Sequence, residues 1–348
     1  MNLHDRISSF AWLGNKLRMY HENCNDPELQ SLVVAAGLAS QRNGWFTPEI
    51  IRTALNNLGS SLTHESLQQW LLVYAAGIEQ VKSPKTVGVV MAGNIPAVGF
   101  HDFLCVLLSG HKLLAKLSSS DDRILPAIAA LLIGNMPEWQ EFITFTNGKL
   151  ENFDAVIATG SDNSSRYFEF YFGRVPNIIR RNRNSIAILN GFETADDLRN
   201  LADDIMLYFG MGCRSVSKVY VPAGYDFTLL INALAKYQFY ADHHKYRNNY
   251  DYNRSIYMVS QLPVTDTGFI LLKEERQLAS RIAMLNYEQY EKTEGIISDI
   301  RETLQSIQCI VSNMALPFST LLPGEAQKPA LWDYADGVDT LEFLISLQ

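Results

Sequence analysis

Basic residues are in the minority: 29 Lys and Arg stand against 37 Asp and Glu, for a formal net charge of −8. Nucleic-acid binding rests on clustered Lys and Arg that neutralise phosphates, so no nucleic-acid partner is expected. Cysteine is scarce. The four residues, Cys24, Cys105, Cys213 and Cys309, form no C-x-x-C pair, which argues against a zinc site and against a disulfide framework. Long apolar runs are missing as well. The longest, around residues 124–133, is too short to cross a bilayer, and the first twenty residues lack a basic segment followed by an apolar one. A soluble, cytoplasmic protein without a membrane span is the expectation. Two nucleotide fingerprints are absent too: no G-x-G-x-x-G follows a strand, and no Walker A loop occurs.

What is present is ordinary globular material, 348 residues with 47% hydrophobic and 19% charged, enough for two packed cores. Residues up to about Lys85 read as helices, because apolar residues recur every three or four positions through IIRTALNNLG and ESLQQWLLVYAAGI. Thr47, Pro48 and Glu49 mark one helix start as N-cap, N1 proline and first-turn acid. From Thr86 onward, short apolar strands alternate with helical segments, the pattern of parallel strands joined by crossover helices. The expected class is α/β, with two Rossmann-like parallel-sheet domains and an N-terminal helical region. Residues 1–190 would hold the helices and a first α/β domain, residues 191–315 a second, and residues 316–348 a C-terminal segment.

The chemistry is concentrated in a few places. Cys105 in FLCVLL and Cys309 in QCIV read as small buried hydrophobes. Cys213 differs, standing between small residues in GMGCRS just before the strand-like KVYVP. A strand leads into Gly93-Asn94-Ile95-Pro96, where Asn94 can donate its side-chain amide into a cleft. The following strand ends at Lys116 and a serine run, Ser118-Ser119-Ser120, where a lysine can meet a phosphate or ribose hydroxyls. A later strand ends in the turn Gly160-Ser161. Further on, YADHHKYRNNYDYNRS is polar and aromatic. His243 and His244 are adjacent and point to different sides, so no metal site is expected, and a solvated segment or a lip over a substrate entrance is the reading.

Taken together, these blocks resemble a family. VMAGNIPAVGFHDFLCVLLSGHKLLAKLSSSD is similar to the aldehyde dehydrogenase block running from the oxyanion-hole Asn to the cofactor-binding Lys. ATGSDNSS is similar to the turn after the next cofactor-domain strand, and GMGCRSVSKVYVP to the catalytic-cysteine loop. Asn94, Lys116, Gly160 and Cys213 follow one another at separations of 22, 44 and 53 residues, in the family's order. Within that superfamily the G-N-I-P, G-F-H-D-F-L and L-L-S-G segments most resemble the LuxC-type acyl-CoA reductases, or fatty acid reductases.

The resemblance implies reduction of an acyl thioester to an aldehyde, with the dinucleotide-binding domain in residues 1–190, the catalytic domain carrying the cysteine in 191–315, and 316–348 returning to the cofactor domain or to an oligomer interface. Cys213 would be the nucleophile and Asn94, with the Cys213 backbone N–H, would stabilise the oxyanion. Lys116, Ser118, Ser119, Gly160 and Ser161 would hold NAD(P)H. Aldehyde dehydrogenases that hydrolyse their acyl-enzyme carry a glutamate before Leu-Gly-Gly-Lys, whereas the matching stretch here, NIIRRNRNSIAIL, has no carboxylate. That departure suits a reductase whose acyl group comes from or goes to another thiol. Ser119 stands where NAD-preferring relatives carry a glutamate, which points to NADPH over NADH. Arg214 is placed to lower the Cys213 thiol pKa, and His101 and Asp102 read as architectural. Implied partners are acyl-CoA, an acyl-carrier thioester or an acyl-transferring enzyme, with a homo-oligomer also expected. Two other readings stay open: a cysteine acyltransferase or thioesterase without nicotinamide, and a non-catalytic scaffold of aldehyde dehydrogenase fold.

Overall fold

The computed structural model describes residues 1–347, leaving aside the side chain of Asp162. Two compact units emerge, one formed by residues 1–182 with the segment from Ala330 onward, the other by Arg183–Pro329.

The first unit opens with five helices, α1 (Leu3–Met19), α2 (Gln30–Arg42), α3 (Pro48–Ser61), α4 (His64–Leu71) and α5 (Ala75–Glu79). Their starts follow local chemistry. The Thr47 hydroxyl accepts from the Ile50 N–H at the head of α3, and Asn2 and Asp5 form a capping box on α1. The chain then alternates as β1 (Thr86–Val90), α6 (Phe100–Ser109), β2 (Lys112–Lys116), α7 (Ile124–Asn135), β3 (Ile143–Thr146), β4 (Ala155–Thr159), α8 (Asp162–Phe172) and β5 (Asn177–Arg180). All five strands are parallel, in the order β3-β2-β1-β4-β5. From β1 the chain moves outward through β2 to β3, then jumps back across β1 to β4. The crevice outside the carboxyl ends of β1 and β4 is therefore a topological switch point, where open α/β sheets bind ligands. Register aligns those ends, because Val90 lies opposite both Lys116 and Ala158.

The second unit contains β6 (Asn184–Ile188), α9 (Ala195–Met206), β7 (Val216–Pro222), α10 (Thr228–Leu234), α11 (His244–Val259), β8 (Thr265–Asp266), β9 (Leu271–Glu274), β10 (Met284–Tyr290), α12 (Thr293–Thr303) and β11 (Ile307–Val311). Its strands follow the order β11-β6-β7-β10-β9-β8, parallel except for β8 against β9. Strand β6, SIAIL in the sequence reading, thus belongs to the second sheet, and the border between the sheets lies near residue 183 rather than 190. A short strand buried along four of its five residues carries no mark of which sheet it will join.

After Pro329 the chain returns to the first unit, where α13 (Thr340–Ile345) packs on α6 with Leu341 and Leu344 buried. Among the described residues no helix is long and apolar enough to cross a membrane.

The stretch read as solvated or as a lip is exposed over much of its length but packs one face. Tyr246, Tyr250, Asn253 and Tyr257 recur at helical spacing on α11 and are all buried. A stripe built of tyrosine and asparagine lacks the aliphatic signature of a core face, which is why its pattern read as polar. His243 caps α11 by accepting from the Tyr246 N–H, and the His244 ring lies 3.3 Å from the Asn248 amide nitrogen.

Candidate active site

Of the four cysteines, Cys24, Cys105 and Cys309 are buried and Cys213 is exposed. Cys213 sits in a tight turn before β7, closed by the Ser215 N–H donating to the Gly212 carbonyl (3.0 Å). The Ser215 hydroxyl accepts from the Gly212 N–H (3.2 Å), and the Ser185 hydroxyl donates to the Cys213 carbonyl (2.9 Å). Three consecutive residues upstream, Tyr208, Phe209 and Gly210, have positive φ. For Tyr208 and Phe209 that conformation is costly and is held by packing, with the Phe209 ring centroid 4.2 Å from Tyr240 and 4.6 Å from His243. The Arg214 guanidinium, expected to act on the thiol, donates through Nε to the Ala326 carbonyl at 2.5 Å.

In the first unit, Asn94 is exposed on the loop that leaves β1. That loop cannot carry a side chain at Gly93: a Cβ there would come within 2.5 Å of the Ser118 hydroxyl. Ser118 therefore packs against the turn, and it also accepts from the Ser120 N–H (3.2 Å). Ser119 is exposed beside it. Lys116 ends β2 half-buried and makes no ion pair among the described residues. Asp121 is buried and accepts from the Ala97 N–H (2.7 Å), tying the two loops together; burial pushes its carboxyl up to about 6. Asp122 is paired with Arg42 (2.6 Å) and Arg123 (3.3 Å).

At the end of β4, Gly160 lies so close to α8 that a Cβ would meet Phe168 at 2.7 Å and Ser164 at 2.9 Å. The Ser161 hydroxyl accepts from the Ser164 N–H and so caps α8. Asn94, Lys116, Ser118, Ser119, Gly160 and Ser161 thus share the carboxyl edge of one sheet, while Cys213 stands on the turn leading into a strand of the other unit.

His101 and Asp102 are architectural. Asp102 receives both hydrogen bonds of an Arg180 nitrogen (2.7 and 2.5 Å), Arg180 also donates to Thr340 (2.9 Å), and the His101 ring lies 2.8 Å from the Leu331 carbonyl oxygen. Burial lowers the His101 pKa. Sequence reasoning missed Asp121, Arg180 and Asp204. Asp204 left one trace, a carboxylate on the apolar stripe Leu201, Ala202, Ile205 of α9.

Two parallel sheets with these loop positions define an aldehyde dehydrogenase fold. The P. syringae indole-3-acetaldehyde dehydrogenase AldA, solved with NAD+ and IAA, superposes with a TM-score of 0.63 at 12% identity, over 91% of this chain and 73% of its own. An NAD+ complex of a Bacillus cereus aldehyde dehydrogenase gives 0.62 at 14%, over 90% and 72%. An E. coli NADP dependent enzyme gives 0.62 at 10%, over 91% and 74%. No curated protein matches in sequence. The sequence profile of the acyl-CoA reductase (LuxC) family matches residues 27–238, more than half of the chain. The chain belongs to the acyl-CoA reductase (LuxC) family. Family and fold together support an oxidoreductase that reduces acyl groups to aldehydes in general.

Proposed function

We propose that the protein reduces an acyl thioester, acyl-CoA or a carrier-bound acyl group, to an aldehyde through a thioester on Cys213, with NADPH as the preferred reductant. The observation that carries this reading is the exposure of Cys213 alone among the four cysteines, on a turn whose neighbours on both sides are hydrogen-bonded in place. Its thiolate attacks the acyl carbonyl, the carrier thiol leaves with a proton, and the acyl group stays on sulfur. Asn94 is assigned the oxyanion through the family likeness of its turn. When bound, the nicotinamide supplies hydride to the acyl carbon.

The first unit's residues fit such a cofactor. Lys116 offers a half-buried ammonium, without an ion pair among the described residues, for phosphate or ribose, and Gly160 allows backbone to pass close to α8, which starts just after the end of β4. Ser118 and Ser161 act there by shaping the two turns, and Ser119 is open to the ribose. Residues 177–189, which run through β5 and β6, include no carboxylate to activate water, which favours hydride transfer to the acyl carbon over hydrolysis.

Incubation with a labelled acyl-CoA and no nicotinamide tests the reading. Label should appear on Cys213, be released by hydroxylamine, and be lost in Cys213→Ala. Adding NADPH should discharge it as aldehyde. Label on Cys24, Cys105 or Cys309, or discharge only as free acid, overturns the assignment.

A further inference from the structure

We infer that Asp204 is a positioning residue for the turn that bears Cys213, acting through the 324–327 loop. The inference rests on the proposed role of Cys213 and adds a residue to it. Asp204 is fully buried near the end of α9, and both carboxylate oxygens are spent on backbone. One accepts from the Gly324 N–H at 2.6 Å, the other from the Ala326 N–H at 3.0 Å. The loop they hold is shaped to sit there, since Gly324 has φ +95° and a Cβ at that position would come to 3.0 Å from Asn200.

That loop in turn grips the two residues after the cysteine. The Ala326 carbonyl accepts from Arg214 Nε, and Gln327 Nε2 donates to the Ser215 hydroxyl at 3.2 Å while also reaching the Asp204 carbonyl at 3.3 Å. Ser215 is the residue whose N–H and hydroxyl close the turn on Gly212. Thus an uninterrupted series of hydrogen bonds runs from one carboxylate to the turn of the exposed thiol.

Burial pushes Asp204 up to about 6, and the hydrogen bonds from the Gly324 and Ala326 amides offset part of that cost. What an apolar residue cannot do is accept two amides at a fixed separation and so set the height of Ala326 and Gln327. Small displacements matter at a nucleophile, where about 1 Å can cost about a hundredfold in rate.

Two variants test this in the full-length protein. Asp204→Asn keeps the volume but only one acceptor, and Gln327→Leu keeps the carboxylate while removing the donor to Ser215. In both, backbone amide exchange at Gly212 and Ser215 should quicken by about tenfold. The saturating rate of Cys213 acylation should fall by about ten- to a hundredfold, with the half-saturating acyl-CoA concentration and NADPH affinity unchanged within about twofold. Unchanged acylation in folded variants overturns the inference, as does an equal loss in rate, substrate affinity and NADPH affinity, which marks a general structural role. If wild type is not acylated at Cys213, the proposed function falls, and exchange alone then decides: unaltered exchange at Gly212 and Ser215 overturns the link. Should Asp204→Asn fail to fold, Gln327→Leu gives the same discrimination.

Discussion

Ser119 lies three residues beyond Lys116, and the fate of its two acidic neighbours decides what it can do. Asp121 is buried and accepts from the Ala97 N–H, and Asp122 is shared between Arg42 and Arg123, so neither carboxylate is exposed beside the serine. A 2′-phosphate placed near Ser119 would meet Lys116, and a lysine–phosphate hydrogen bond is charge-assisted. Under the proposed function, NADPH should bind more tightly than NADH. Ser119→Glu should then weaken NADPH far more than NADH, by about tenfold or more, because the new carboxylate repels the phosphate and accepts from ribose hydroxyls. Fluorescence titration of both cofactors against both proteins reads this. Equal losses, or none, would move Ser119 away from the ribose.

Helix α11 shows how an element can be built from residues that look solvated. Its buried face is Tyr246, Tyr250, Asn253 and Tyr257, and three of these have a partner: Tyr250 donates to Asp266, Asn253 donates to the Ile282 carbonyl, and the Lys273 ammonium stands 5.3 Å from the Tyr257 ring. The Tyr246 hydroxyl is buried without a hydrogen-bond partner among the described residues, and desolvation holds its pKa well above the ordinary tyrosine value. An unsatisfied buried hydroxyl costs about 1–3 kcal/mol, so Tyr246→Phe should leave stability unchanged or raise it by about 1 kcal/mol. Tyr250→Phe, which removes one of the donors to Asp266 and leaves Arg254 and the Gly268 N–H, should lower it by about 1 kcal/mol. Urea unfolding of both variants checks the pair, and a Tyr246→Phe protein clearly less stable than wild type would mean that the hydroxyl is satisfied in solution. The same helix explains the limits of reading sequence. The aliphatic alternation from Thr86 onward and the Thr47-Pro48 start were legible because periodicity and caps are local. Cys213 was legible as a candidate because small residues crowd it, and Lys116 because it ends a strand. Asp121, Arg180 and Asp204 were not, since their partners are 24 to 160 residues distant and two of the three bind backbone amides, which leave no side-chain signature.

At the scale of the whole chain, the first unit is discontinuous: it is left at Asn182 and rejoined at Ala330. The returning segment is no loose end. Leu331, Leu341 and Leu344 are buried in the first unit's core, the Trp70 indole donates to the Tyr334 hydroxyl, and Tyr74 donates to Asp339. It also supplies polar partners to groups already buried in that unit. The His111 ring meets the Leu344 carbonyl at 2.8 Å, the His101 ring meets Leu331, and Arg180 donates to Thr340. Removing the segment would therefore expose apolar core and strand buried polar groups on α6, β5 and the turn before β2 at once. A chain ending at residue 329 should lose the cooperative unfolding of its first unit, seen as lost NADPH binding and non-cooperative melting. The milder Leu344→Ala should keep the fold at a cost of about 2–5 kcal/mol, the range for emptying a buried leucine site. Because Leu344 meets the turn before β2, at the amino ends of the strands, whereas the cofactor candidates share the carboxyl edge, its variant should melt earlier while keeping wild-type cofactor affinity below its transition. A truncated protein that still binds NADPH and melts cooperatively would show that residues 1–182 fold without the returning segment.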